Sequence, residues 1–442
     1  MSDWANVRLG DLIDIKHGFA FRGEFFVPEP PGDLLLTPGN FAIGGGFQWG
    51  KPKYYRGPVP EDYVLKPGDL IVTMTDLSKE ADTLGYSAIV PTHETRLLHN
   101  QRIGKIVARS DRAYPLFLYW IMRTKKYRNE ILASVTGSTV KHTSPSKILA
   151  FQFALPTLGE QRAIVSILGA LDDKIDLNRR MNDTLEAMAR AFFQDWFVTF
   201  GPTRAKRDGR LPYLAPDLWS LFPNRLDDDG KPEGWSTTSL VHLTSKIGSG
   251  ATPTGGSQVY VTFGTALIRS QNVYDNGFSW GGLAWITDEH ATRLNGVTVQ
   301  PDDVLINITG DSILRCCVVD PDVLPARVNQ HVAIIRAAGK IPHLYLHQYL
   351  VLPQTKERLI GYDAGGSRAA ITKAHLESLP VLLPNEKVLA AFADKTKPLL
   401  DRVSANNREN RTLAATRDLL LPKLMSGELR VRDAERVAET VL

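Results

Sequence analysis

The sequence predicts an α+β protein: two similar mixed α/β domains separated by two long helices forming an antiparallel coiled coil, with an internal pseudo-twofold repeat. Three observations lead there. The chain aligns with itself at a shift of about 230 residues. Two stretches keep a seven-residue apolar period. The remainder alternates short runs of Val, Ile, Thr and aromatics with Gly, Pro, Asn and Asp clusters, the pattern of strands and turns.

Taken in order, the repeat places Trp4, Leu9 and Leu12 on Trp235, Leu240 and Leu243. LKPGDLIVTMTD from Leu65 falls on VQPDDVLINITGD from Val299, each a strand after a proline turn. NQRIGKIVA from Asn100 falls on NQHVAIIRA from Asn329, and VTGSTVKHTSPSKILAFQFALP on DAGGSRAAITKAHLESLPVLLP, ending at Pro156 and Pro384. Shorter helices are expected from Pro115 and Pro342, since proline suits a first helical turn. The segmentation is therefore a domain over 1–156, a helix over 157–200, a linker over 201–234, a second domain over 235–384, and a second helix with its tail over 385–442.

Ile164, Leu171, Asn178, Leu185 and Phe192 recur every seventh residue, and the repeat sets Phe392, Leu399, Asn406, Leu413 and Leu420 at matching places. A period of seven in two helices predicts that they pack on each other, and a chain that returns makes them antiparallel. Asn178 and Asn406 stand at the midpoints, where a buried amide costs stability and fixes register. FFQDWF, ending at Phe197, leaves Phe193, Trp196 and Phe197 beyond the seam, a surplus for docking onto a partner or the neighbouring domain.

Composition fits a cytoplasmic globular protein: 43% hydrophobic and 23% charged residues, with no apolar run long enough for a membrane span. A formal charge of +4 over 52 basic and 48 acidic residues permits a polyanionic partner without demanding one. Cys316 and Cys317 are adjacent, so on a strand they point to opposite faces and read as buried small residues. Catalytic motifs come only as near misses. GGFQWGKP from Gly45 has phosphate-loop spacing, but Pro52 replaces the Ser or Thr that would hold magnesium. His343 and His347 have zinc spacing on a helix but no third ligand at a matching interval.

The helix LPTLGEQRAIVSILGALDDKIDLNRRMNDTLEAMARAFFQDWF from Leu155, the linker LFPNRLDDDGKPEGW from Leu221 and LLPKLMSGELRV from Leu420 resemble the specificity subunit of type I restriction-modification systems. The resemblance covers the full domain, helix, domain, helix order. It implies two target recognition domains, each reading one half of an asymmetric bipartite site in double-stranded DNA. It implies helices that set the gap and bind two modification subunits, which methylate adenine at N6. No catalytic residue, metal or cofactor is expected on this chain; S-adenosylmethionine belongs to the modification subunits, and ATP and Mg to the restriction motor-nuclease subunits.

Reading duplex DNA requires cations on phosphates and Arg, Lys, Asn or Gln at base edges. Candidates in the first domain are Lys16, His17, Arg22, Lys51, Lys53, Tyr54, Arg56, Ser138, Thr139, Lys141 and His142. In the second they are Lys246, Ser249, Thr252, Arg269, Ser270, Gln271, Asn272, Arg368 and Lys373. The Asn-Gln pairs at 100 and 329 repeat in both halves and so read as structural, because domains reading different bases should differ where they read. The other reading is a coiled-coil interaction scaffold without sequence-specific DNA binding; divergent basic loops on duplicated frames argue against it.

Overall fold

The computed structural model describes residues 4–137, 139–362 and 370–442. They fall into two compact units, Met1–Leu177 with Arg408–Leu442, and Asn178–Asn407. Each unit holds one globular domain plus half of each long helix, so the packing units divide at the helix midpoints, not where the sequence segmentation divides them. Antiparallel pairing is the reason: within a unit, the half-helix leaving the domain lies beside the half-helix of the other strand of the coil.

In the first unit, Ala5–Arg8 pairs antiparallel with Gln152–Leu155 and closes the domain's two ends. A four-stranded antiparallel sheet follows in the order Ile13–His17, Ile103–Ala108, Leu70–Thr73, Ser87–Ile89. A second sheet contains the parallel pair Asp33–Leu35 and Leu97–Leu98. The second unit repeats the plan. Ser236–Ser239 pairs with Pro380–Leu383; the four-stranded order is Thr244–Ser249, Val332–Ala337, Val304–Asn307, Cys316–Val318; the parallel pair is Thr265–Ile268 with Ala326–Val328.

The central strands Leu70–Thr73 and Val304–Asn307 are buried along their whole length, which is why they read as continuous apolar runs without alternation. The turn before each needs a left-handed residue. Gly68 supplies it in the first domain (φ 86°) and Asp302 in the second (φ 66°).

The first long helix, Leu158–Phe193, begins at a capping box: Thr157 Oγ1 accepts from the Glu160 amide, and Glu160 accepts from that of Thr157 at 3.0 Å. The second, Glu386–Ser426, begins where Asn385 accepts from the Val388 amide at 2.9 Å and ends at left-handed Gly427. Ile164, Leu168 and Leu171 share one core with Leu413, Leu420 and Leu424 and with the domain residues Leu9, Val72, Phe117 and Trp120. In the second unit Phe193 and Phe392 share a core with Trp235, Tyr345 and Leu346.

The seam uses two positions per heptad. Ile164, Leu171 and Asn178 are buried as the period predicts, but Leu185, Phe192 and Leu399 are only half-buried. The other line, Leu168, Ile175, Asn182, Ala189 and Trp196, is buried throughout. The surplus aromatics find their partners in the second unit: Phe197 packs against Tyr345 and Phe392 with ring centroids 4.9 and 5.1 Å away, and Trp196 against Phe222 at 5.0 Å.

Candidate nucleic-acid interface

The four-stranded sheet of the first domain ends in a rim where His17 pairs with Gly104 and Phe19 bridges Asn100. Thr75–Asp76, emerging from the central strand, pairs with Lys141–His142, which brings Lys141 and His142 to the end of that strand. His142 and Thr139 are exposed; Ser138 lies outside the described residues. Lys16 is committed to the fold, donating to the Asp62 carbonyl at 2.9 Å with its ammonium 4.9 Å from the Tyr63 ring. A second cationic group sits beside the sheet that holds the parallel pair. Arg22 stands 3.8 Å from Glu24, Lys53 lies 4.0 Å from the Phe26 ring, and Arg56 donates to the Pro31 carbonyl at 2.6 Å. Lys51 is exposed and Tyr54 half-buried.

In the second domain the predicted residues divide more sharply. Lys246 donates to the Gly296 carbonyl, Thr252 bonds Gln330, and Lys373 pairs with Glu377 at 3.4 Å. Ser249 is exposed; Arg368 lies outside the described residues. Arg269 and Gln271 both donate to the Gly282 carbonyl, Gln271 at 3.1 Å.

Asn272 is a correction. It is fully buried; its Nδ2 donates to the carbonyls of Ser279 and Gly281, and its Oδ1 accepts from the Arg269 amide at 3.0 Å. No atom of that amide is left for a base. Asn40 does the same in the first domain, accepting from the Thr37 amide at 2.8 Å and donating to the Gln48 carbonyl. The pair is part of the duplicated frame. Asn100 and Asn329 are structural in the same way, their Oδ1 atoms accepting from the amides of Arg102 and His331 at 3.0 and 3.1 Å.

Sequence reasoning missed a cleft of about 690 Å³ on the second domain, lined by Ser270, Gln271, Tyr274, Thr309, Arg315 and His331 among others. With Ala370, the lining comes from four separate segments, so no spacing announces it. Gln271 was among the candidates, as was its loop neighbour Ser270.

The other chemical candidates resolve into structure. His347 is buried with Nε2 3.3 Å from the Cys316 carbonyl, while His343 faces Asp302 at 3.6 Å, so the two imidazoles do not converge. Among the described residues no group of three or more metal-ligating side chains occurs. Cys316 and Cys317 are free and buried, and burial pushes the Cys317 thiol up to about 12. Among the described residues no helix is long and apolar enough to cross a membrane.

Fold and rims together define a class: a duplicated α+β protein whose two domains share a frame, differ at their loop rims and are joined through paired long helices. Residues 1–187 match the type I restriction modification DNA specificity domain. The chain is 24% identical to the HindI specificity subunit of Haemophilus influenzae, over 97% of this chain and all of that one. It is 25% identical to the EcoBI specificity subunit of Escherichia coli, over 96% of this chain and 86% of that one. The crystal structure of the type I restriction-modification S subunit from M. genitalium superposes with a TM-score of 0.57 at 14% identity, covering 96% of each chain. Over nearly its whole length the chain is thus similar to specificity subunits of type I restriction-modification systems, and its first 187 residues match their DNA specificity domain.

Proposed function

We propose that this chain is the DNA-reading subunit of a type I restriction-modification complex in the cytoplasm, non-catalytic on its own. Each domain reads one half of an asymmetric bipartite site. The long helices set the gap between the halves and carry two modification subunits, which bind S-adenosylmethionine and methylate adenine at N6. Restriction motor-nuclease subunits using ATP and Mg would complete an endonuclease.

The observation that carries this reading is the contrast between frame and rim. The sheets, the buried asparagine turns and the central strands repeat between domains, whereas the side chains standing on the rims do not. Gly39 and Ala42 occupy the places that Gln271 and Tyr274 hold relative to the duplicated asparagines. A frame used twice with different side chains at one edge suits recognition of two different sequences, because base contacts carry the specificity and phosphate contacts only position.

The test is single-molecule mapping of N6-methyladenine in cells expressing the chain with its modification partner, beside cells in which residues 235–384 come from another specificity subunit. A split motif of which only one half changes on the swap supports the reading. Absence of any motif despite an assembled complex would refute it.

A further inference from the structure

The cleft on the second domain is a built site. Asn307, fully buried at the end of its strand, donates through Nδ2 to the Ser270 carbonyl at 2.9 Å and to Ser312 Oγ at 3.1 Å, tying together the loops that form two walls. Its backbone pins the segment carrying Arg315: the Asn307 amide donates to the Arg315 carbonyl at 2.9 Å, and the Leu314 amide donates back at 2.8 Å. Thr73 stands at the matching strand position in the first domain and donates instead to the Thr75 carbonyl, so this bracing belongs to the second domain.

Several polar groups around the cleft are already used. His331 bonds Thr309 Oγ1 through Nδ1 at 2.6 Å and the Gln330 amide through Nε2 at 3.0 Å, which occupies both nitrogens. Arg269 is held by the Gly282 carbonyl. Of the groups that remain, which include the Asp311 carboxylate and the Ser270 and Tyr274 hydroxyls, two suit base edges. The Arg315 guanidinium lies 4.7 Å from the Tyr274 ring and makes no ion pair among the described residues. Gln271 spends its amide nitrogen on Gly282, which leaves Oε1 as an acceptor at the cleft.

We infer that this cleft reads the second half-site in the major groove, Arg315 specifying a guanine through its O6 and N7 and Gln271 Oε1 accepting from the exocyclic amine of an adenine or cytosine. The inference rests on the DNA-reading function proposed above. A planar fork held against an aromatic ring is pre-oriented for the paired acceptors of guanine, and a lone acceptor selects amino-bearing from keto-bearing bases.

The experiment uses the full chain assembled with its modification subunits. The half-site belonging to residues 235–384 is identified by the domain swap. Competition binding then compares duplexes differing at single positions of that half-site, for wild type, Arg315→Ala, Arg315→Lys and Gln271→Ala. Both Arg315 variants should relax preference for guanine at one position by roughly tenfold to a hundredfold, lysine included because it lacks the fork. Gln271→Ala should relax discrimination at a different position of the same half, with the other half unchanged in every case. Preference ratios that stay at wild-type values, or affinity that falls equally for all sequences as a phosphate contact would give, overturn the inference. A wild-type complex with no sequence preference would instead remove the function on which it rests.

Discussion

Asn406 Nδ2 donates to Asn182 Oδ1 at 2.8 Å, and Asn182 Nδ2 donates in turn to Asn407 Oδ1 at 2.8 Å. Asn406 is fully buried and Asn182 nearly so, so this is an amide chain inside a seam whose other buried polar member at this level is Asn178. Replacing Asn406 with Leu strands the Asn182 oxygen and should cost roughly 1–3 kcal/mol. Replacing both with Leu removes the stranded amide group and should recover most of that loss while weakening the choice of register. A double-mutant cycle by urea denaturation reads the coupling. Strictly additive single and double effects would mean the amides do not act as a pair.

Asp172 is held from two sides: Arg123 Nη1 donates to Oδ2 at 2.9 Å and Arg417 Nη1 to Oδ1 at 2.5 Å. Arg123 also donates to the Gly44 carbonyl and lies 4.3 Å from the Trp120 ring, its side chain only 6% exposed. One carboxylate thereby fastens the first domain to both half-helices of its unit. Asp172→Ala leaves a buried guanidinium without its counter-ion and should cost roughly 3 kcal/mol. Arg417→Ala should cost less, since Arg123 keeps its partner. If thermal melts rank these two variants the other way, the carboxylate is not the pivot.

The domains carry one buried imidazole each. Burial, the largest cause in both, holds His99 and His347 at about 4, against the ordinary 6.5. A depressed histidine stays neutral in the folded state while the unfolded chain takes up a proton. Stability is therefore fully present above 6.5 and lost as pH falls from 6.5 toward 4. Glu186 works in the opposite sense: burial raises it to about 7, so its contribution declines as pH rises from 4.5 to 7. For fully buried His347 the linkage is on the order of 3 kcal/mol. His347→Gln should flatten the acid limb of the stability profile. Parallel profiles for variant and wild type would show that the imidazole is not the group responsible.

The frame was legible because it is periodic and duplicated: the strands after Pro67 and Pro301, the closing pairs and the seven-residue seam all follow from residue spacing. What was not legible depends on contacts that spacing does not encode. Asn182 sits on the second line of the seam, where a polar residue breaks the apolar pattern that would have exposed it. Asp172 meets Arg123 and Arg417 only through the fold, and the repeat offers no second copy of that cluster. Asn272 resembled a reader because it sits among Ser and Gln in a polar loop. Its twin Asn40 carried the correction, by the same duplication argument that identified Asn100 and Asn329 as structural. The cleft around Arg315 was invisible because four loops with unrelated sequences build it.

The paired helices lead to a prediction about DNA spacing. Each unit contains half of each helix, so lengthening one helix alone would slide the seam and separate Asn182 from Asn406. A matched heptad inserted after Leu177 and after Asn407 keeps the apolar period in both. At ~1.5 Å per residue it adds about 10 Å of helix, close to three base pairs of duplex. Methylation mapping of such a variant should return both half-sites unchanged with a longer gap between them. A four-residue insertion adds about 6 Å but moves the seam off its period, and should lower stability before it alters the gap. An unchanged gap in a heptad variant that still methylates would mean that something other than these helices measures the distance.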